Sequence, residues 1–237
     1  MVVDISGYTR FITERTLTLA HAEQVITDLI NAVLDRARHP MVLNKLEGDA
    51  ALLFREAELG NTEAARDVFA QVRDFFPAFH ERLVRLRSER SHCDCDACSN
   101  IADLKLKAFV HVGDIVIKQV RQFEELAGEP VILVHRMMKN SVDRREYVLA
   151  TEEAVSGAAF SVDQFQVHDE DLDGFGTLRL WLIDSADIPE MGIEMSIAGA
   201  DQTHVRKTGA FLHLPAAAPS IMNRFRTMLS HIKTKIH

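Results

Sequence analysis

Two aspartates are spaced to share a cation. Asp4 sits in a short apolar opening, Met1-Val2-Val3-Asp4-Ile5, that breaks at Ser6-Gly7, and Asp49 follows Gly48 between the apolar segments Met41 to Glu47 and Ala50 to Phe54. The first pattern reads as a buried strand running into a helix, the second as a hairpin whose turn the glycine tolerates. A carboxylate at a strand end and another at the tip of the neighbouring hairpin point into one space, and such hard oxygen donors suit Mg2+ or Mn2+. Gly7 and its neighbours open a helix whose free amides and positive dipole end would cradle phosphate. An ordinary alternative stays open, in which Asp4 caps that helix and Asp49 occupies a polar turn.

A second cluster uses softer donors. The chain's three cysteines all fall within Cys93-Asp94-Cys95-Asp96-Ala97-Cys98. With His92 they offer three thiolates and an imidazole, enough for a tetrahedral Zn2+ site. The spacing differs from the two separated pairs of a zinc ribbon, and an iron–sulfur cluster would need His92, a carboxylate or a second chain as its fourth ligand. A redox-responsive or merely structural loop is the competing reading. His111 and His135 read as satisfied core or surface histidines rather than ligands. The acidic run His168 to Gly174 lacks full EF-hand spacing and reads as a solvated hairpin end.

The elements that must position these groups follow from periodicity. Val25, Leu29, Ala32 and Val33, with Ile26, Ile30 and Ala37, predict an amphipathic helix over His21 to Ala37. Asn61 is placed to cap a second helix bearing Ala65, Val68, Phe69, Val72, Phe76, Phe79, Leu83 and Leu86, which Pro77 is expected to kink or divide. Leu104, Leu106, Ala108, Val110 and Val112 alternate as a half-buried strand that Gly113-Asp114 turns into Ile115 to Ile117. A helix over Gly128 to Asn140, a strand at Tyr147 to Leu149 followed by a helix from Thr151, and a hairpin turning at Leu172-Asp173-Gly174 complete the ordered part. Ser220 to Ile236 carries an amphipathic stripe with basic residues opposite; packing on its own domain or a dimer mate is preferred over a membrane surface. Irregular alternation with at least two hairpins favours an α+β sandwich with a mainly antiparallel sheet.

Composition excludes several classes. The 237 residues are 47% apolar and 26% charged, which describes an ordinary folded chain rather than a disordered one. A net charge of −8 argues against a nucleic-acid partner. Asp4, Arg10, Glu14 and Arg15 interrupt any signal-like apolar run, and no later run reaches membrane-spanning length, so the expected location is the cytoplasm, with reduced thiols. Few residues precede Asp4, which leaves open a native start upstream of Met1.

Asp4-Ile5-Ser6-Gly7-Tyr8-Thr9, Lys45-Leu46-Glu47-Gly48-Asp49-Ala50 and Phe109-Val110-His111-Val112-Gly113-Asp114 together resemble the signature of the class III nucleotidyl cyclases. With the cysteine run and Val134-His135-Arg136-Met137-Met138-Lys139-Asn140, the chain looks still more like the bacterial family DUF2652, grouped with those cyclases. The resemblance implies a nucleotidyl-cyclase fold with a ferredoxin-like palm over residues 1–185, a Cys-rich insert at about 90–100, and a separate C-terminal extension over 186–237. It implies that Asp4 and Asp49, with the backbone carbonyl of Ile5, hold Mg2+ or Mn2+, and that Gly7 and Thr9 lie against the phosphates of ATP or GTP. Lys45 and Glu125 would then read the purine, and Arg136 would stabilise charge on the transferring phosphate. Lys45 also reads as a solvated strand residue, and Arg136 as an ion-pair partner of Glu129 or Asp143. Active cyclases carry a ribose-orienting asparagine where this chain has Ile132, so two functions follow: a homodimeric cyclase, or a cyclase-fold module that binds metal and nucleotide without turnover.

Overall fold

Apolar stripes set the two long helices. In α1 (Leu19–Leu34), Ala22, Val25, Ile26, Leu29, Ile30 and Val33 recur every three or four residues and are buried, so one whole face leaves water. Asn61 caps α2 (Thr62–Glu89): its side-chain oxygen accepts from the Ala64 N–H at 2.9 Å, satisfying a donor that a helix start leaves free. Of the two outcomes expected at Pro77, a kink or a division, the helix is not divided: it runs on through the proline. Phe69, Val72, Phe75, Phe76, Phe79, Leu83 and Leu86 are all buried along α2. At roughly 1.5–3 kcal/mol for each such side chain, this stripe outweighs the ~3 kcal/mol that an interior proline costs.

The computed structural model describes residues 1–8, 11, 19–58, 60–160, 165–184 and 187, all within the unit Met1–Ala198. Thr9 and the amphipathic segment Ser220 to Ile236 lie outside the described residues. The strands are β1 (Val2–Ser6), β2 (Val42–Glu47), β3 (Ala50–Phe54), β4 (Lys105–Val110), β5 (Val116–Val120), β6 (Phe123–Ala127), β7 (Tyr147–Thr151), β8 (Gln166–Leu172) and β9 (Gly176–Asp184). Seven of them form one sheet in the order β2-β3-β1-β4-β7-β9-β8, antiparallel at every pair except β4 and β7. This is the α+β arrangement that the alternation of elements predicts. β5, which follows the turn at Gly113-Asp114, lies outside the seven-stranded sheet and pairs with β6 in a separate two-stranded ribbon. Shorter helices are α3 (Asp96–Ser99), α4 (Glu129–Met137) and α5 (Glu152–Gly157).

Alternation along the strands decides which side chains meet. Val3, Ile5, Ala51, Leu53, Leu106, Ala108, Val148 and Ala150 share a core with α1 and α2, whereas Val2, Ala50, Leu52, Phe54, Phe109, Tyr147 and Leu149 pack with Leu133, Val134 and Met137 of α4. Successive strand residues point to opposite faces. Asp4, between Val3 and Ile5, therefore belongs to the α4 face, and so does Lys107, between Leu106 and Ala108. Among the described residues no helix is long and apolar enough to cross a membrane.

Candidate metal and nucleotide site

Strand pairing brings the two aspartates together. Asp4 lies opposite Ala50 in the β1–β3 ladder, and the N–H of Ile5 donates to the backbone carbonyl of Asp49 at 3.2 Å. Burial pushes the Asp49 carboxyl up, and the charge of Asp4 pushes it further, to about 6. Burial also raises Asp4, against the opposing charge of Lys107. Two partly desolvated carboxylates that repel each other form a site that a divalent cation would relieve. Ile5 has its side chain in the core and its amide committed to Asp49.

Two cations that sequence reading did not single out stand beside the pair. Lys107 lies opposite Asp4 across β1–β4, with its Nζ 5.2 Å from the centroid of the Tyr147 ring. Burial lowers its pKa, with Asp4 opposing. Arg145 approaches Gly7, whose φ of +95° suits glycine; a Cβ there would come within 3.3 Å of Arg145 Nη2. Arg145 also donates to the carbonyl of Asp103. The Phe11 N–H donates to the Gly7 carbonyl at 2.9 Å. Tyr8 donates to Glu23 Oε1 at 3.0 Å, and burial together with that carboxylate pushes its phenol up to about 12. Lys107 was visible only as a polar residue in an alternating strand; the pairing register is what aims it at Asp4.

Lys45 and Glu125, far apart in sequence, form an ion pair at 3.3 Å. A register irregularity between Leu43 and Lys45 turns Lys45 onto the α4 face, as β-bulges do. At the same place Asn44 Nδ2 donates to the carbonyl of Glu124 at 3.0 Å, docking β6 beside β2. The pair extends into a row: Lys45 lies 3.5 Å from Glu47, and Glu47 Oε2 lies 2.8 Å from His135 Nε2. His135 is thus a tethered half-buried side chain, in line with its reading as a satisfied histidine.

Arg136 is not brought to either pair. It meets Asp173 at 3.1 Å, in the β8–β9 turn, rather than Glu129 or Asp143. Ile132, one turn earlier on α4, is 55% exposed. The cysteine cluster differs from expectation in its fourth member. His92 is exposed and stands outside the group, and the histidine that joins Cys93, Cys95 and Cys98 is His21 of α1. The acidic run spans the end of β8 and the turn after it: Asp173 in the turn is exposed, whereas Glu170 is buried and accepts from the Ser141 N–H and O–H at 2.7 Å each.

A cavity of about 180 Å³ lies at the other end of β1, lined by Met1, Phe54, Gly113 and Pro130, away from the aspartate pair. Its lining is mostly apolar, with Arg55, Glu58, His111 and Asp114 among the polar members.

A family model described as "Protein of unknown function (DUF2652)" matches residues 26–147. The chain belongs to this family. A Mycobacterium tuberculosis relative, "Uncharacterized protein Rv2561/Rv2562", is 35% identical over 164 residues, covering 68% of this chain and 74% of its own. Among solved structures, the adenylyl cyclase CyaB from P. aeruginosa is similar at TM-score 0.57 and 16% identity, covering 78% of this chain and 92% of that one. The guanylyl cyclase Cya2 is similar at TM-score 0.59 and 14% identity, with 77% and 88% covered. At these identities the likeness is one of fold, and this DUF2652 chain has the class III nucleotidyl-cyclase fold. The aspartate pair and the Lys45–Glu125 pair are this chain's own features, laid on that frame.

Proposed function

We propose that this cyclase-like protein binds a divalent cation and a purine nucleoside triphosphate, ATP or GTP, between two copies of the chain and forms the 3′,5′-cyclic nucleotide. The supporting observation is the juxtaposition of Asp4 and Asp49, two partly buried carboxylates, with burial first and the charge of Asp4 second raising Asp49 to about 6. The donor set fits a hard cation, because both side chains offer only oxygen. Mg2+ or Mn2+ held by Asp4, Asp49 and the Ile5 carbonyl would acidify the ribose 3′-hydroxyl and neutralise the triphosphate. The turn at Gly7, with Arg145 and Lys107 beside it, holds the phosphates by amide dipoles and positive charge. Lys45 and Glu125 supply one donor and one acceptor to the edge of the purine. In the reaction the 3′-oxygen bonds to the α-phosphorus, its proton departs, and the bond to the β-phosphate breaks to release pyrophosphate.

The shared cleft is supported by exposed apolar side chains on the β5–β6 ribbon and α4: Val116 is 63% exposed, Phe123 60% and Ile132 55%. Such a patch on a two-stranded ribbon favours burial against a second copy, which would make two symmetric sites. Arg136 exchanges Asp173 for the transferring phosphate of the partner's site. A cytoplasmic location accords with a nucleotide substrate and free thiols.

A second reading, a module that binds without turnover, is favoured by Ile132, which offers no hydrogen bond where the resemblance calls for a ribose-orienting asparagine. The experiment that separates the two incubates the purified chain with Mn2+ and ATP or GTP and measures cyclic product beside an Asp49→Asn control. Product from the native chain alone supports the cyclase. Metal-dependent nucleotide binding with no product selects the module, and no metal-dependent binding at all ends both.

A further inference from the structure

A second centre lies apart from the aspartate pair. His21 opens α1, and Cys93, Cys95 and Cys98 occupy the connection between α2 and β4. The four donor atoms all lie within 4.8 Å of one another. His21 Nδ1 is 3.6 Å from Cys93 Sγ, 3.5 Å from Cys95 Sγ and 3.9 Å from Cys98 Sγ. A ring nitrogen has one proton or one lone pair to offer, so a hydrogen bond accounts for one of these contacts and leaves two unexplained. A shared cation accounts for all three. With metal–sulfur bonds of about 2.3 Å and a metal–nitrogen bond of about 2.0–2.1 Å, tetrahedral coordination places each sulfur about 3.6 Å from the nitrogen. The three observed nitrogen–sulfur separations are therefore close to the edges of one coordination tetrahedron.

We infer that His21, Cys93, Cys95 and Cys98 bind a single Zn2+ in a closed structural site. Three sulfurs and an imidazole form a soft set that selects zinc over Mg2+ or Mn2+. Four protein donors leave no open coordination position, which is the character of a structural rather than a catalytic centre. An iron–sulfur cluster spreads its thiolates over separate irons, whereas these donors converge on a point. The local backbone is shaped for the purpose: Cys95 caps α3, and its sulfur accepts from the Cys98 N–H at 3.4 Å. The ion would join elements separated by 72 to 77 residues in sequence. It would fasten the first turn of α1 to a connection built from a four-residue helix and a three-residue 3₁₀ turn, elements too short to be stable alone. This inference is independent of the nucleotide site.

The test uses the full chain purified with its thiols reduced. Elemental analysis is expected to give about one zinc per chain, His92→Ala is expected to retain it, and His21→Ala and Cys95→Ser to lose most of it. Co2+ exchanged into the native chain is expected to show strong thiolate-to-metal charge transfer with the d–d bands of a tetrahedral ion, a readout that needs no variant to fold. Three results would each overturn the inference: no bound zinc in the reduced native chain, loss of zinc in His92→Ala but not in His21→Ala, or a cobalt spectrum of six-coordinate oxygen ligation.

Discussion

Replacing Asp49 by asparagine should make the metal-free protein more stable while removing its response to metal. In the folded chain the Asp49 carboxyl is raised from 3.8 to about 6, by burial first and by Asp4 second. An acid whose pKa rises on folding binds its proton more tightly in the native state, so stability declines as pH rises through that window and the penalty is complete above it. At about 1.4 kcal/mol for each tenfold change in proton affinity, that rise sets an upper bound of ~3 kcal/mol. Asp49 is half-buried, and solvent screening reduces the expected gain to about 1 kcal/mol. For a chain of this size that is about 2–4 °C in Tm. The assay is thermal unfolding in EDTA at pH 8 and pH 4, then with Mn2+ added. Asp49→Asn should melt higher than the native chain at pH 8, and the difference should shrink at pH 4. Mn2+ at a hundredfold its Kd should stabilise the native chain by about 2.7 kcal/mol and leave the variant unmoved. If Asp49→Asn is no more stable in EDTA at pH 8, the two carboxylates do not share a space and the reasoning fails.

Three further outcomes are expected. Glu125→Ala leaves Lys45 with Glu47 alone and should weaken purine triphosphate binding about fivefold to tenfold, with a changed ratio of ATP to GTP affinity by titration calorimetry; equal affinities would detach this pair from base recognition. Glu170→Gln tests a carboxyl that burial works to raise but that Ser141 and His168 hold below its usual range. Its contribution is present above about pH 4.5 and lost as pH falls through the depressed folded value, so urea unfolding should show a loss of about 1–2 kcal/mol at pH 7 that narrows toward pH 3. Phe123→Asp, on the exposed ribbon, should leave the fold intact and convert a dimer to monomer in sedimentation; a native chain that sediments as a monomer at high concentration would refute the shared cleft.

Features set by near neighbours were legible in the sequence. The stripe of α1, the Asn61 cap and the β2–β3 turn at Gly48 depend on residues within a few positions, where helical or strand periodicity fixes which face is apolar. That locality also carried Asp49 to a hairpin tip, whereas Asp4, expected at a strand end, lies in the middle of β1 because Ile5 and Ser6 still pair with β4. Contacts across the chain needed the tertiary structure. His92 is adjacent to the cysteines in sequence, yet the packing of α1 on α2 delivers His21 instead. Arg136 has acidic residues nearby along the chain, but the β8–β9 turn presents Asp173 to it. Lys45 reaches Glu125 only because an irregularity at Asn44 turns its strand and docks β6. Lys107 faces Asp4 because register, which a one-residue slip would invert, is decided by how whole strands pair. Chemistry that lies within one element is written in its spacing, and chemistry assembled between elements is settled by which buried faces pack together.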